Sequence, residues 1–254
     1  MSTPVPTSPL ARVGQIIYPA RGALGVPLMV AVLLLGHPCP DASTTATLLR
    51  VFGGWTILLL GLFVRVWGVC CWFSRDRSGV IGGKRLMTTD GPYPYTRNPR
   101  YLGNFLMGFG ASVLSGVPGV PMIYIVVWSI VHVPILVAER ETLHARWGAE
   151  YERYCRDVPA LLPRLNAGCS FVPQVLFVNW RGGLREEVGT VSGWLAIGLF
   201  LHFWRAGHLI GWRTGGTHFL FLVAIAIVVV VGEKVRRAIP REEVERAEDR
   251  PIRP

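Results

Sequence analysis

Apolar residues in this chain come in long unbroken runs, not in alternation or single stripes. The runs occupy 24–36, 51–73, 101–116, 120–138, 191–207 and 217–232. A helix that is apolar on every side belongs in lipid or in a large core. Crossing a bilayer takes about 20 residues, with ~17 as a lower limit. Runs 24–36 and 101–116 therefore need flanking residues (16–36 for the first), a tilt or partial re-entry. The pattern predicts an all-α, polytopic transmembrane helix bundle of about six spans. The first run follows Arg12 and Arg21 with no clean small-residue cleavage site, so it reads as a retained helix.

The connections carry the polar residues. Residues 1–23 read as a loose N-terminal arm. Gly116-Val117-Pro118-Gly119-Val120-Pro121 predicts a tight external turn. From Glu139 to Tyr154, Leu143, Trp147, Tyr151 and Tyr154 fall on one helical stripe, as on a helix lying at the membrane surface. Val158-Pro159 should end that helix. Residues 24–165 form the expected membrane core. Residues 166–239 would hold an interfacial segment (171–180) and two additional spans, and 240–254 a charged tail.

Charge sets the orientation. Of 26 lysines and arginines, 22 lie in the N-terminus, 74–100, 139–190 and the tail. The positive-inside rule then puts both termini and these connections in the cytoplasm. The chain is 51% hydrophobic with a mean hydropathy of +0.39, which suits a multi-pass membrane protein. Topology and attraction to anionic headgroups account for the net charge of +10 without a nucleic-acid partner. The five cysteines show no CxxC and no metal-ligand spacing, so the reading includes no metal site and no disulfide framework. No G-x-G-x-x-G follows a strand-like run, which excludes a soluble nucleotide-binding domain. A cofactor would have to be held by helices and their cytoplasmic connections.

Two places carry candidate chemistry. Residues 91–103 read Gly-Pro-Tyr-Pro-Tyr-Thr-Arg-Asn-Pro-Arg-Tyr-Leu-Gly. Three prolines, three tyrosines and two arginines make a stiff basic cap leading into a helix at Tyr101. It suits either an anionic or zwitterionic ligand or an interfacial aromatic belt with topology-setting arginines. The second place is Glu139, a carboxylate emerging from an apolar run. It would pair with Arg97 or Arg100, or capture a ligand ammonium. His132 lies seven residues earlier on the same face. Arg65, inside the second run, either snorkels to the interface or points into the bundle to meet an anion. His202, Arg205 and His208 share a polar face in the fifth run. Gly61, Gly68 and Gly108-Phe109-Gly110 offer either close packing or a lateral gap for an acyl or prenyl chain.

Taken together, Gly91-Pro92-Tyr93, Arg97-Asn98-Pro99, Tyr101 and Gly103, then Glu139-Arg140, Leu143, Trp147-Gly148, Tyr151, Tyr154 and Val158-Pro159, resemble the two signature blocks of the isoprenylcysteine carboxyl methyltransferase and phospholipid methyltransferase superfamily. The resemblance covers about residues 50–165. It implies S-adenosylmethionine as cofactor, bound at the cytoplasmic face, and a lipophilic acceptor entering from the bilayer. Carried over residue by residue, it places Tyr95, Arg97, Asn98, Pro99, Tyr101, Leu102 and Gly103 at the cofactor. It places Glu139 at the cofactor's ammonium, with Arg97, Asn98 and Glu139 as the catalytic set. Arg65 and His132 are candidate substrate residues. Asn98 stands where many members have histidine and cannot shuttle protons. Arg140 stands where eukaryotic members tend to have a second glutamate, and 133–136 lacks the arginine expected of prenylcysteine enzymes. Three functions stay open: methyl transfer of the isoprenylcysteine carboxyl type, N-methylation of a phospholipid amine with His132 or Glu141 as base, and a non-enzymatic transporter or scaffold.

Overall fold

A computed structural model describes residues 8–21, 26–78, 80–81, 84–85, 87, 89–164, 180–211 and 215–238. Within them the chain forms eight α-helices: α1 Pro9–Ile17, α2 Val26–Leu35, α3 Thr44–Ser78, α4 Pro99–Ser115, α5 Val120–Trp147, α6 Ala149–Asp157, α7 Trp180–Ile210 and α8 Gly215–Ala238. A short antiparallel ribbon, β1 Val80–Ile81 with β2 Lys84–Arg85, follows α3. Segment 165–179, which holds nearly all of the expected interfacial stretch, and the tail beyond 238 lie outside the described residues.

The apolar runs become helices whose outer faces stay apolar. Phe52, Leu59, Leu60 and Phe63 on α3 are exposed, as are Met122, Ile123, Val126, Ile130 and Val133 on α5. Stripes of this kind suit hydrocarbon, not water. Among the described residues, two helices are long and apolar enough to cross a membrane, Thr44–Cys71 within α3 and α5 Val120–Trp147.

Glycines set how close the helices come. The most extensive helix contact is α3 against α4, and it is backbone on backbone. A Cβ on Gly61 would lie 2.6 Å from the Met107 amide and 2.8 Å from the Gly103 carbonyl oxygen. One on Gly110 would lie 2.6 Å from the carbonyl oxygen of Gly54. Gly54, Gly61 and Gly68 recur every seven residues, as do Gly103 and Gly110, so each set lines one side of its helix. Gly68 faces the Pro99 ring, and Gly108 faces the Tyr124 ring. Of the two uses open to these glycines, the structure takes close packing; it leaves no lateral gap at Gly61, Gly68 or Gly108.

The bundle has two distinct ends. At one, Asp41 accepts from Arg50 at 3.1 Å and pairs with Arg205 at 3.0 Å. The Cys39 amide donates to the Gly116 carbonyl, and the Arg205 guanidinium donates to the Cys39 carbonyl. Gly116 adopts φ +65°, and a side chain there would strike Arg205. Burial pushes the Asp41 carboxyl up, but the hydrogen bond from Arg50 and the charges of Arg50 and Arg205 outweigh it and hold the carboxyl below its ordinary value. The polar face expected for His202, Arg205 and His208 is thus divided. Arg205 is buried and paired with Asp41, whereas His208 is exposed. The other end gathers Cys71 under Gly91, Cys70 beside Gly183 of α7, and the start of α4.

Three elements depart from expectation. Residues 8–21, read as part of a loose arm, form α1 and a 3₁₀ turn at Tyr18–Ala20, and α1 packs on α5. Its Gly14 sits directly on the Pro134 carbonyl, and the Ser8 hydroxyl donates to Glu141 at 2.5 Å. The stripe from Glu139 to Tyr154 is two helices, because Gly148 (φ +52°) breaks it between α5 and α6. α6 ends at Asp157, just before Val158-Pro159. α7 begins at Trp180, eleven residues before the apolar run at 191, and so carries Glu187 into the bundle, with Glu186 left exposed.

That early start explains Arg65. Its Nε and Nη2 donate to the two oxygens of Glu187 at 2.7 and 2.9 Å, and its Nη1 donates to Asn104 at 2.6 Å. Of the two fates open to this arginine, it takes the inward one and meets a carboxylate of the chain itself. Glu187 is only 4% exposed, so the fork ties α7 to α3 where solvent screening is weak.

Two stability outcomes follow from these contacts. Gly61→Leu and Gly108→Leu should each destabilise by about 1–3 kcal/mol through overpacking. Gly53→Ala, with nothing within 4 Å of the added Cβ, should be neutral or slightly stabilising. Thermal unfolding in detergent compares them. Arg65→Gln or Glu187→Gln alone should cost about 3–5 kcal/mol by stranding a buried charge, and the double variant Arg65→Met/Glu187→Leu should recover much of that loss. A double-variant loss equal to the sum of the two single losses would show that the two charges do not act as a pair.

Candidate functional site

The two polar segments flanking α4 and α6 are sewn together. The Arg97 amide donates to the Pro159 carbonyl and the Arg164 amide to the Tyr95 carbonyl, both at 3.0 Å. The Asn98 side-chain amide donates to Ala160 at 2.8 Å, and the Tyr154 hydroxyl to the Tyr93 carbonyl at 2.8 Å. Thr96, almost fully buried, donates to Leu161 at 3.0 Å. A loop stiffened by Pro92, Pro94 and Pro99 loses little entropy when pinned this way. Burial pushes the Tyr93 hydroxyl above its ordinary value and raises Tyr151 to about 12, with Cys155 adding to the shift. Both stay protonated near neutrality and act as donors.

Beneath this cap lies a cavity of about 1240 Å³. Its walls come from α1, α3, α4, α5, α6 and α7, and it brings Arg97, Asn98, Pro99 and Tyr101 of the first block to one surface with Glu139 of the second. Arg65 and His132 also line it. The Tyr101 hydroxyl donates to Glu139 Oε1 at 2.6 Å, and among the described residues no ion pair reaches that carboxylate. The expected pairing of Glu139 with Arg97 or Arg100 is not formed. Arg97 instead places Nη1 against the Cys155 sulfur, while its buried Nε has no partner.

One wall is aromatic. His132 stacks on Trp128 with centroids 4.4 Å apart, holds the Trp128 carbonyl through Nδ1 at 3.0 Å, and meets Tyr101 edge-on at 5.9 Å. Phe105 packs edge-on against Trp128 at 5.1 Å. Trp128 is 6% exposed, and its indole N–H has no partner. An unpaired buried donor in a cavity wall is costly in an empty site and useful in a filled one.

The remaining carry-over residues lie elsewhere. Tyr95, Leu102 and Gly103 do not line the cavity. Tyr95 contacts Trp67, Leu102 is buried, and Gly103 is spent on the crossing with α3. Conversely, the sequence reading passed over several cavity residues: Trp128, Tyr124, Asn104, and the α1 group of Gly14, Tyr18 and Arg21. Trp128 had one available signal, its i, i+4 spacing to His132.

The chain's likenesses agree with this geometry. Residues 43–150 match the phospholipid methyltransferase family. The chain is 26% identical over 143 residues to the cobalt-zinc-cadmium resistance protein CzcN of Cupriavidus metallidurans, covering 56% of this chain and 61% of that protein. It is 32% identical over 91 residues to the protein-S-isoprenylcysteine O-methyltransferase of Schizosaccharomyces pombe, covering 34% of this chain and 38% of that enzyme. The chain thus spans less than two thirds of each of these relatives. No solved structure matches it. The match over 43–150 takes in Arg97, Tyr101 and Glu139, and over that stretch the chain is similar to the isoprenylcysteine carboxyl methyltransferase and phospholipid methyltransferase superfamily.

Proposed function

We propose that the protein is an integral-membrane methyltransferase that uses S-adenosylmethionine to methylate a lipophilic acceptor. The observation that carries this reading is the pairing of unlike charges in one cavity. Glu139 stands without an ionic partner, and Arg97 has an unsatisfied buried N–H within the same walls. An amino-acid moiety presents an ammonium and a carboxylate, and these two side chains complement it. Aromatic faces at Tyr101, His132 and Trp128 suit a sulfonium. The residues present therefore fit the cofactor, which when bound supplies an electrophilic methyl group.

The chain's own residues bind and orient. Glu139 would hold the ammonium, with Tyr101 fixing the carboxylate's direction. Arg97, propped by Cys155 and Tyr151, would hold the carboxylate end. Tyr93, Arg97, Asn98 and Pro99 of the sewn cap form part of the cavity wall. Asn98 donates to the Ala160 carbonyl and serves positioning, not proton transfer. Holding the acceptor near and in line contributes more to such a displacement than acid–base help does.

Six crossings would follow the six apolar runs of the chain. The path from Ser8, beside Glu141, to Cys39, beside Gly116, runs the length of α5 and would be the first. α3, α4, α5, α7 and α8 would supply the rest. By the positive-inside rule the capped end would face the cytoplasm.

Titration calorimetry with S-adenosylhomocysteine in detergent and in lipid tests the donor site. Binding is expected for the wild-type chain. Glu139→Gln should lower affinity roughly tenfold or more, since a hydrogen bond to a charged group contributes about 1.5–3 kcal/mol, with the thermal midpoint little changed. Arg97→Lys should also weaken binding, because lysine lacks the planar fork. No binding by a folded sample would favour the scaffold reading.

A further inference from the structure

The first crossing is interrupted inside the molecule. α1 ends at Ile17, a 3₁₀ turn occupies Tyr18–Ala20, and Arg21 follows before α2 begins at Val26. Tyr18, Pro19 and Arg21 of this break line the cavity. Non-helical backbone at membrane depth is tolerated where it is buried in protein or lines a polar cavity, and breaks of this kind recur at ligand sites.

Charge inside the cavity is one-sided. Arg21, Arg65, Arg97, Arg100 and Arg146 line it, against one carboxylate, Glu139. Glu187 neutralises Arg65 from behind the wall. Four arginines thus face one carboxylate in a site flanked by apolar helices. S-adenosylmethionine does not balance this excess, since its ammonium and sulfonium outnumber its carboxylate. Arg21, Arg97 and Arg100 are partly buried and Arg146 is exposed, so an anionic ligand entering the cavity meets an excess of positive charge. The cavity's volume, about 1240 Å³, exceeds the roughly 300–1,000 Å³ usual for one small molecule, so a second ligand has room.

Among these arginines, Arg21 is the one contributed by the interrupted first segment, and its charge is felt at Glu139, Tyr101 and His132. It belongs to the segment whose outer face shows Leu10, Val13 and Ile16, exposed like Val126, Ile130 and Val133 of the neighbouring α5. Its guanidinium is held 3.7 Å above the Tyr18 ring and donates to the Tyr18 carbonyl at 2.7 Å. Among the described residues no carboxylate pairs with it. It is pre-oriented, and most of its donors are unspent.

We propose that Arg21, at the break in the first crossing, anchors an anionic oxygen group of the acceptor, a carboxylate or a phosphate, while the acceptor's chain lies toward the bilayer. This makes Arg21 a specificity-determining residue, and it rests on the methyltransferase reading above. The group is placed by Arg21 and the donor by Glu139 and Arg97, so the two ligands answer to different residues.

The test uses the full chain in maltoside detergent, titrated with oleate, oleyl phosphate and oleyl alcohol, with and without saturating S-adenosylhomocysteine. Wild-type protein should bind one or both anionic probes more tightly than the alcohol, and the better anion identifies the source as carboxylate or phosphate. Arg21→Gln should weaken the anionic probes by roughly ten- to a hundredfold while leaving the alcohol unchanged and S-adenosylhomocysteine no weaker, since Arg21 lies within electrostatic reach of Glu139 and its loss favours an ammonium there. If Arg21→Gln does not fold, Arg21→Lys carries the same test, with a severalfold loss for the anions only. Equal binding of alcohol and anions, or unchanged anion affinity in a folded Arg21 variant, overturns the proposal. Failure of S-adenosylhomocysteine to bind overturns the donor reading instead, and the cofactor-free titrations still decide the role of Arg21.

Discussion

Backbone contact between α3 and α4 is the constraint on which the site depends. Lipid gives helices no hydrophobic reason to associate, so packing must do it. Gly54 and Gly61 against Gly103 and Gly110 let the two backbones touch. That approach fixes the rotation of α4. Gly103 must face α3, so Tyr101 turns toward α5 and reaches Glu139, while Asn104 turns toward Arg65. At the near end the same crossing seats Pro99 on Gly68 and so places the start of α4. The cap loop can then meet the segment after α6 without strain.

A second layer of order comes from polar groups with few alternatives. Arg65 and Glu187 are buried together and lock α7 to the core. Asp41, Arg50 and Arg205 do the same at the opposite end. Between these two polar clamps the cavity keeps a different character. Its arginines and Glu139 are only partly satisfied by the protein, and an indole N–H faces it unpaired. The Arg97 Nε and the Trp128 indole N–H, both in the cavity wall, are left for a ligand to meet.

Much of this was legible in the residues. Apolar runs gave the helices, because a run long enough to cross a bilayer has few other fates. The proline- and tyrosine-rich stretch at 91–103 and the isolated Glu139 pointed to one site, and the structure lines one cavity with both. What stayed hidden depends on distance in space. Glu187 looked like part of a charged connection until α7 was seen to start at Trp180. The two-helix form of 139–157 turns on the positive φ of Gly148, which no periodicity reveals. α1 hid because it is only nine residues long and interrupted by Arg12, Gly14 and Gln15, and its docking relies on a bare glycine, Gly14, against Pro134. Gly103 sat within a motif and was read as a ligand contact, whereas its place in the structure is a helix crossing.

The most direct measurement is an experimental structure of the protein in lipid nanodiscs with S-adenosylhomocysteine bound. The ligand's ammonium should lie within hydrogen-bond distance of Glu139, its carboxylate at Arg97, and its thioether should face the wall formed by Tyr101, His132 and Trp128. Density for the ligand outside this cavity, or within it with Glu139 still held only by Tyr101, would contradict the assignment of the two blocks to one donor site.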